Sequence, residues 1–310
     1  MGNSTIIFLK LIVLFSFVFI GYFAYKRGWV SSKGSADIST LVVNVFNPAL
    51  IISTIAGATE RPEGHMVLLG SVHAMILYGA MIALGPVLCL LLKVPEDQKI
   101  LYRIMFIFTN IGFMGIPLSG AMYGKSATFF VALYILMYNL LFYSMGLQMF
   151  RKHMDANSKF EFKRMINPGM LACLAALFFF LTKIQMPAVA VDFIGYLSEA
   201  CVPLSMLITG FALAHTNLKE VFTDARLYAY TIISMLIIPI VAALIMTKVP
   251  FVHAEPTLAG IMVLMFGMPN GAMTVIIPEE YGMDSSVCAK AFALTTLCTI
   301  ITLPIVVLFV

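Results

Sequence analysis

Residues 108–118 read Phe-Thr-Asn-Ile-Gly-Phe-Met-Gly-Ile-Pro-Leu and lie inside an apolar stretch that would otherwise form one continuous helix. Pro117 removes a backbone donor and clashes with the preceding turn, while Gly112 and Gly115 weaken the helix further. We therefore expect the helix to break here. Polar backbone at membrane depth is tolerated only where protein buries it or where it lines a watery cavity, so the break beside Asn110 predicts a substrate site. A simple proline kink is the alternative.

A second interruption lies in the other half of the chain, where residues 266–271 read Phe-Gly-Met-Pro-Asn-Gly. Each interruption is followed by a Tyr-Gly pair, Tyr123-Gly124 in the first half and Tyr281-Gly282 in the second. Upstream, Pro48 and Pro203 each lie six residues before a threonine. Paired Gly/Pro interruptions in corresponding segments indicate an internally repeated transporter with its site at the repeat interface.

The composition sets the class of protein. Of 310 residues, 61% are hydrophobic and only 11% charged, and the mean hydropathy is +0.99, which indicates an integral membrane protein. The net charge of +4 reflects membrane topology, since basic residues of membrane proteins record orientation, and it does not favour nucleic acid as a partner. The cysteines form no metal-binding or redox spacing and are expected to be small buried hydrophobes.

The apolar pattern predicts an all-α protein with ten transmembrane helices. The predicted spans are about 6–25, 38–57, 66–92, 100–123, 126–150, 168–182, 189–214, 227–246, 256–280 and 285–310, of which the fourth and ninth are broken. Lys26-Arg27 follows the first span where a signal peptide would have small residues, so this helix is expected to be retained. The polar stretch 151–167 divides the chain into a first five-helix repeat, 1–150, and a second, 168–310.

An odd number of spans per repeat requires the two repeats to lie in opposite orientations, so the repeat is predicted to be inverted. The 19 lysines and arginines divide 14 to 5 between the two sides of the predicted topology, and the richer side includes the linker 151–167. Because loops rich in Lys and Arg stay in the cytoplasm, the linker is predicted to be cytoplasmic and both termini to be outside. The expected location is the cell membrane, plasma or inner.

Three motifs carry a resemblance to a known family. They are residues 110–118, the run Asn-Leu-Leu-Phe-Tyr-Ser-Met-Gly at 139–146, and Leu-Thr-Thr-Leu-Cys-Thr-Ile-Ile-Thr-Leu-Pro at 294–304. Together they resemble the auxin efflux carrier family over nearly the whole chain. The short central linker is similar to that of the bacterial branch, which includes permeases suggested for malate and related acids. The family's fold is similar to that of bile-acid symporters and sodium/proton antiporters.

The resemblance implies a carboxylate carrier in which helices 4 and 9 cross at the membrane midplane. It also implies elevator-type alternating access, with helices 3–5 and 8–10 moving against a scaffold of helices 1, 2, 6 and 7. Asn110 matches the family's polar residue before the first Gly-x-Pro, and Pro269 matches its helix-9 proline. Asn270 stands where plant exporters often have glutamine, and its shorter side chain puts auxin-sized substrates in doubt.

The chemistry of the two breaks favours an anion independently of the resemblance. Half-helix N-termini offer free N–H groups and a positive dipole end, and asparagine amides donate directionally without adding charge. Two alternatives stay open: Asn110 and Asn270 as caps of the broken ends, and Asn139 as a contact between helices. The candidate substrate-binding residues are Asn110, Gly112, Gly115, Pro117, Asn139, Pro269 and Asn270.

Few ionisable residues fall within the predicted spans. Glu199 lies opposite Asn44 in the repeat and is a candidate coupling or pathway residue, with an interface acid near Pro203 as the alternative. His73 is either a proton-coupling group or a packing residue. The sequence has no Asp pair within a span and no nucleophile or metal-ligand pattern, so we expect neither enzymatic activity nor a metal or cofactor.

Three functions remain open. The favoured one is a secondary transporter of a small organic acid anion, either a malate-like dicarboxylate or an auxin-like monocarboxylate. The others are a sodium- or proton-coupled exchanger of the same fold, using Glu199 and His73, and a membrane sensor that binds a metabolite without moving it. The expected partners are a small carboxylate and membrane lipid, and a homodimer is one of the oligomeric states left open.

Overall fold

The computed structural model describes residues 3–56, 63–154, 166–246, 255–280 and 283–310, and within these ranges the regular secondary structure is helical. The helices are α1 Asn3–Lys26, α2 Ser32–Ser53, α3 Gly64–Leu91, α4 Lys99–Ile107, α5 Ile111–Tyr123, α6 Lys125–Leu141 continued by Phe142–Gly146 and Leu147–Met154, α7 Pro168–Thr182, α8 Ala188–His215, α9 Leu218–Val221, α10 Ala225–Met246, α11 Pro256–Phe266, α12 Met273–Glu280 and α13 Ser286–Val306.

Seven of these helices are long and apolar enough to cross a membrane: α1, α2, α3, α6, α8, α10 and α13. Three shorter ones, α5, α7 and α11, are also apolar. The prediction of an all-helical integral membrane protein is therefore confirmed. The ten-span count and the inverted relation of the two halves stay predictions.

Several helices contain a π turn next to a proline. The π turns Val42–Phe46, Ile111–Gly115 and Ile233–Ile237 each end two residues before a proline, at positions 48, 117 and 239 respectively. A proline ring crowds the carbonyl four residues earlier and cannot donate a hydrogen bond, and a wider turn absorbs both effects. These prolines therefore bend their helices without ending them.

The first break lies upstream of the predicted position. We expected Gly112, Gly115 and Pro117 to interrupt the helix, but α4 ends at Ile107, and the non-helical residues are 108–110. The glycines lie in the π turn of α5, and Pro117 follows it within the helix. The second break agrees with its prediction, since α11 ends at Phe266 and α12 begins at Met273.

The predicted linker is also partly helical. Helix α6 runs on to Met154, so residues 151–154 extend the fifth predicted span, and residues 155–165 lie outside the described ranges. Helix α2 begins at Ser32, six residues before its predicted start, because Ser31 caps it by accepting a hydrogen bond from the Gly34 N–H at 3.1 Å.

Helices α1 and α8 pack closely through glycines. A Cβ on Gly21 would lie 2.2 Å from the Leu207 carbonyl oxygen, and one on Gly210 would lie 2.1 Å from that of Val18. Only residues without a side chain let two backbones approach this closely, which is a common way of joining helices in lipid. The opposite face of α1 exposes Phe19, Ile20 and Phe23, in agreement with a lipid-facing helix.

The core of the protein surrounds the two interrupted segments. Leu101, Ile104, Met105 and Phe106 of α4 are at most 4% exposed, and so is every residue of α11 from Ile261 to Phe266. These buried stretches lead directly into residues 108–110 and 267–272. Both breaks therefore lie inside the protein.

Candidate functional site

The two breaks are hydrogen-bonded to each other. The Asn110 N–H donates to the Pro269 carbonyl at 2.7 Å, and the Gly271 N–H donates to the Phe108 carbonyl at 3.2 Å. Thr109 and Asn270 form an antiparallel bridge between these bonds. Each break thus provides hydrogen-bond partners for backbone groups of the other break that have no partner within a helix. Such partners are required because apolar surroundings offer none. We call residues 108–110 and 267–272 together the crossing.

A cavity of about 140 Å³ lies beside the crossing. A cavity of about 150 Å³ is enough to hold benzene, so this one suits a small organic molecule. Helices α2, α5, α6, α7 and α12 contribute to its wall. Its lining residues are Val43, Asn44, Asn47, Thr109, Asn110, Ile111, Gly112, Phe113, Ile135, Tyr138, Asn139, Tyr143, Asn167, Pro168, Gly169, Gly271, Ala272, Met273 and Ile276.

Three helices begin at this cavity. The first residues of α5, α7 and α12, which are Ile111, Pro168 and Met273, all line it. A helix N-terminus carries the equivalent of about half a positive charge, so three of them create a positive potential without a charged side chain. Asn167 caps α7, since its Oδ1 accepts a hydrogen bond from the Met170 N–H at 3.0 Å. The arrangement suits an anion.

Asparagine amides supply most of the remaining polarity. The Asn110 side chain makes no hydrogen bond to the described residues and reaches the cavity wall. Asn47 Oδ1 is shielded from water and has no partner in the described part of the chain. Asn44 differs, because its Nδ2 already donates to the Thr40 carbonyl at 2.8 Å. Among the described residues, Asn139 Nδ2 has the Cys173 sulfur as its partner at 4.0 Å, which is a weak acceptor.

The cavity brings together part of the predicted site. Asn110, Gly112, Asn139 and Asn44 line it, although their positions along the chain span nearly a hundred residues. The other predicted residues, Gly115, Pro117, Pro269 and Asn270, lie outside the lining. Gly115 packs against Met265, whose sulfur would lie 3.0 Å from a Cβ at this position. Pro117 lies within α5, and the Pro269 carbonyl accepts the hydrogen bond from the Asn110 backbone N–H.

Asn270 is bonded on the other side of the crossing. The Tyr230 hydroxyl donates to its Oδ1 at 2.9 Å, and its backbone N–H donates to Thr295 Oγ1 at 3.2 Å. Thr295 in turn donates to the Ala291 carbonyl at 2.7 Å. The side chain is 2% exposed and is not part of the cavity wall. Its amide holds the second break against α10 and α13.

The two candidate coupling residues also lie away from the cavity wall. His73 is fully buried in α3, with its Nδ1 2.7 Å from the Leu69 carbonyl oxygen. Glu199 is exposed on α8. Neither residue lines the cavity, so neither is in a position to touch a molecule held there.

Most of the lining residues were not among the predicted site residues, and they include Asn47, Asn167, Gly169, Tyr138 and Tyr143. Asn167-Pro168 is a sequence signal for a capped helix start, and it locates the N-terminus of α7. Asn47 also stands directly before a proline, Pro48. Nothing in the local pattern indicates that these two asparagines face the first break, because that depends on how α2 and α7 pack.

Two comparisons with known proteins bear on the class of this protein. A family model described as membrane transport protein matches residues 6–307. An uncharacterized transporter of Methanothermobacter thermautotrophicus is 23% identical over 304 residues, which cover 98% of this chain and 97% of the relative.

Proposed function

The chain belongs to the membrane transport protein family, which is the auxin efflux carrier family that its motifs resemble, and we propose that it carries a small organic acid anion through the cavity beside the crossing. Membership of this family makes it a multi-pass membrane transporter.

The lining of the cavity supports the choice of an anion as substrate. Three helix N-termini and the unpaired amide of Asn110 meet in one cavity, and no lining residue carries a formal charge. N–H groups and amides can hold a carboxylate by hydrogen bonds. Without a buried arginine or lysine the anion is not held by a full countercharge, so it can also leave, as transport requires.

The same observation favours a single carboxylate. Removing an ion from water costs several kcal/mol even after the protein relaxes, and only a well-matched partner offsets that cost. The N-termini of α5 and α12 and the Asn110 side chain belong to one wall of the cavity and can serve one carboxylate. The remaining wall includes Ile135, Phe113 and Ile276, which favour a hydrocarbon body over a second charge.

The packing of the helices supports an elevator-type movement. Helix α8 contacts α1 and α2, and α2 contacts α7, whereas α3 contacts α4 and α6, and α10 contacts α11 and α13. The two sets also touch each other, through α6 with α7 and through α1 with α5 and α13. The cavity lies between these two groups, with α2 and α7 on one side and α5, α6 and α12 on the other. We propose that the first group is the scaffold and the second moves, and that each group combines elements of two inverted repeats.

Binding and flux test this function separately. Purified protein should be stabilised against heat by monocarboxylates of three to six carbons and much less by the matching dicarboxylates, because a ligand of the folded state raises stability by mass action. Protein reconstituted in sealed vesicles should then move the stabilising acid. Stabilisation without flux would instead support the membrane sensor, and the absence of any stabilising acid would refute the anion site.

A further inference from the structure

The turn between α1 and α2 holds a tryptophan outside the packed helices. Helix α1 ends at Lys26, and Gly28 follows with a φ of 71°, in the left-handed region that glycine adopts without strain. The Gly28 N–H donates to the Tyr25 carbonyl at 2.9 Å and the Trp29 N–H donates to the Ala24 carbonyl at 3.0 Å, which together form a Schellman motif. The residue after such a glycine usually packs back on its helix. Trp29 instead is 77% exposed.

Neighbouring residues fix this turn at both ends. The Tyr25 hydroxyl and Ser32 Oγ are hydrogen-bonded at 2.7 Å, which ties the end of α1 to the start of α2. The Tyr25 ring also lies 4.2 Å from the ring of His215 at the end of α8. Trp29 therefore extends from a backbone that three helices hold in place, and its exposure is a property of the fold.

The segment around this tryptophan is positively charged. Residues 26–33 include Lys26, Arg27 and Lys33 and no acidic residue. None of these three cations forms an ion pair with the residues that the structure describes. Lys26 Nζ lies 5.7 Å from the centre of the Tyr22 ring, and Arg27 and Lys33 are exposed. The charge of this turn is thus available to an anion from outside the protein.

The position of the turn along α1 indicates where that anion lies. The apolar span Ser4–Lys26 has 23 residues. A helix of that length measures about 35 Å, slightly more than the hydrocarbon thickness of a bilayer, so the turn that follows it reaches the level of the lipid headgroups. Ile20 and Phe23, just before the turn, are 56% and 59% exposed and offer an apolar surface to acyl chains. Tryptophan favours this level because its ring is apolar and its N–H can donate a hydrogen bond.

We propose that the turn between α1 and α2 binds the headgroup of an anionic phospholipid, with Arg27 and Lys33 as the cationic partners of its phosphate and Trp29 as the interfacial anchor. A guanidinium can pair with a phosphate through two parallel hydrogen bonds. Lipid is favoured over a protein partner because the exposed apolar residues of α1 lead directly into the turn. The sequence predicts this end of α1 to be cytoplasmic, where anionic lipids attract cations next to a span.

Tryptophan fluorescence tests the proposal directly. The protein contains a single tryptophan, so this emission reports on the turn alone. The protein is reconstituted in mixed bilayers of phosphatidylcholine and phosphatidylglycerol, in which one or the other lipid carries bromine atoms that quench tryptophan on contact. At equal mole fractions we expect brominated phosphatidylglycerol to quench Trp29 with a relative affinity at least about fivefold higher, the ratio that one cation near a membrane surface supplies. In about 0.5 M salt the ratio should fall below about twofold, because exposed charges are screened.

Two double variants assign the preference to the cations of the turn. Arg27→Gln with Lys33→Gln removes two charges and keeps the glycine and serine that shape the turn, so the preference should disappear. Lys93→Asn with Lys183→Asn is the control, because it removes two exposed cations at the ends of α3 and α7. Asparagine tolerates the positive φ of these two positions, 49° and 58°. The control should keep the preference of the parent. If the first variant folds poorly, Arg27→Gln alone should show a smaller loss in the same direction.

Three results would overturn the proposal. Equal quenching by the two brominated lipids would leave Trp29 as an interfacial residue without headgroup selection. Quenching by neither lipid would put the turn outside the bilayer, in water or against another protein chain. A preference that survives the loss of Arg27 and Lys33 would show that these cations do not bind the headgroup. The measurement requires no substrate, so its outcome is independent of the proposed transport function.

Discussion

The two breaks look alike in sequence but are used differently. At the first, the amide of Asn110 faces the cavity and makes no hydrogen bond to the described residues. At the second, the amide of Asn270 is turned into the protein and accepts a hydrogen bond from Tyr230. One break thus presents a polar group to a ligand, whereas the other holds the crossing in place. A polar residue beside a helix break does not by itself identify a binding group.

The largest effect should come from separating the breaks. A Cβ on Gly271 would lie 2.9 Å from the Phe108 carbonyl oxygen, which is backbone and cannot easily move aside. We expect Gly271→Ala to lower the free energy of unfolding by about 1–3 kcal/mol and to abolish flux. Flux into vesicles and thermal unfolding check this prediction.

The same break offers a matched control. The tightest contact of a Cβ on Gly267 would be with the end of the flexible Leu303 side chain, at 3.0 Å, and the nearest backbone oxygen, that of Leu264, would lie at an ordinary 3.6 Å. Gly267→Ala should therefore keep both fold and flux. If both alanine variants behave like the parent, the close contact at the crossing is not required.

The next effect distinguishes the two amides. Asn110→Ala should weaken carboxylate binding roughly ten- to a hundredfold, because a hydrogen bond to a charged group contributes about 1.5–3 kcal/mol, and it should leave the unfolding temperature nearly unchanged. Asn270→Ala should instead leave carboxylate binding nearly unchanged and lower the free energy of unfolding by about 1–3 kcal/mol, because it leaves the buried Tyr230 hydroxyl without its partner. Binding and thermal unfolding are measured on both variants. Similar losses of affinity with no loss of stability would show that both breaks hold the anion directly.

A smaller effect sharpens the role of the second break. Tyr230→Phe removes the donor to Asn270 and should cost about 1 kcal/mol of stability. Because the two side chains share one hydrogen bond, the double variant with Asn270→Ala should be less destabilised than the sum of the single variants by about 0.5 kcal/mol or more. Strict additivity would mean that the hydrogen bond contributes nothing to the fold.

The smallest effect concerns a residue outside the cavity wall. Glu199 is exposed on α8 and does not line the cavity, so Glu199→Gln should keep most of the parent's flux. Flux is measured with and without a sodium or pH gradient. Complete loss of flux in a variant of normal stability would favour a coupled exchanger with Glu199 as its coupling group.

The spans could be predicted from sequence because apolar length is a local property. The start of α7 at Pro168 follows from the Asn-Pro signal, and the second break follows from Gly267 and Pro269. The first break was misplaced because Pro117 can be accommodated by a π turn, and nothing in the local sequence reveals that choice. Helix α4 ends at Ile107, where the chain pairs with residues 269–271 of the other half.

The sequence by itself determined that this chain is an integral membrane protein with an interruption in each half, because hydrophobicity, glycine and proline act through local backbone physics. Only the tertiary structure decided which polar groups face the cavity. Asn110 lines it, while Asn270 is bonded to Tyr230, because side-chain direction depends on which helices pack beside each break. The positive potential of the cavity is tertiary as well, since it arises where the separate N-termini of α5, α7 and α12 meet.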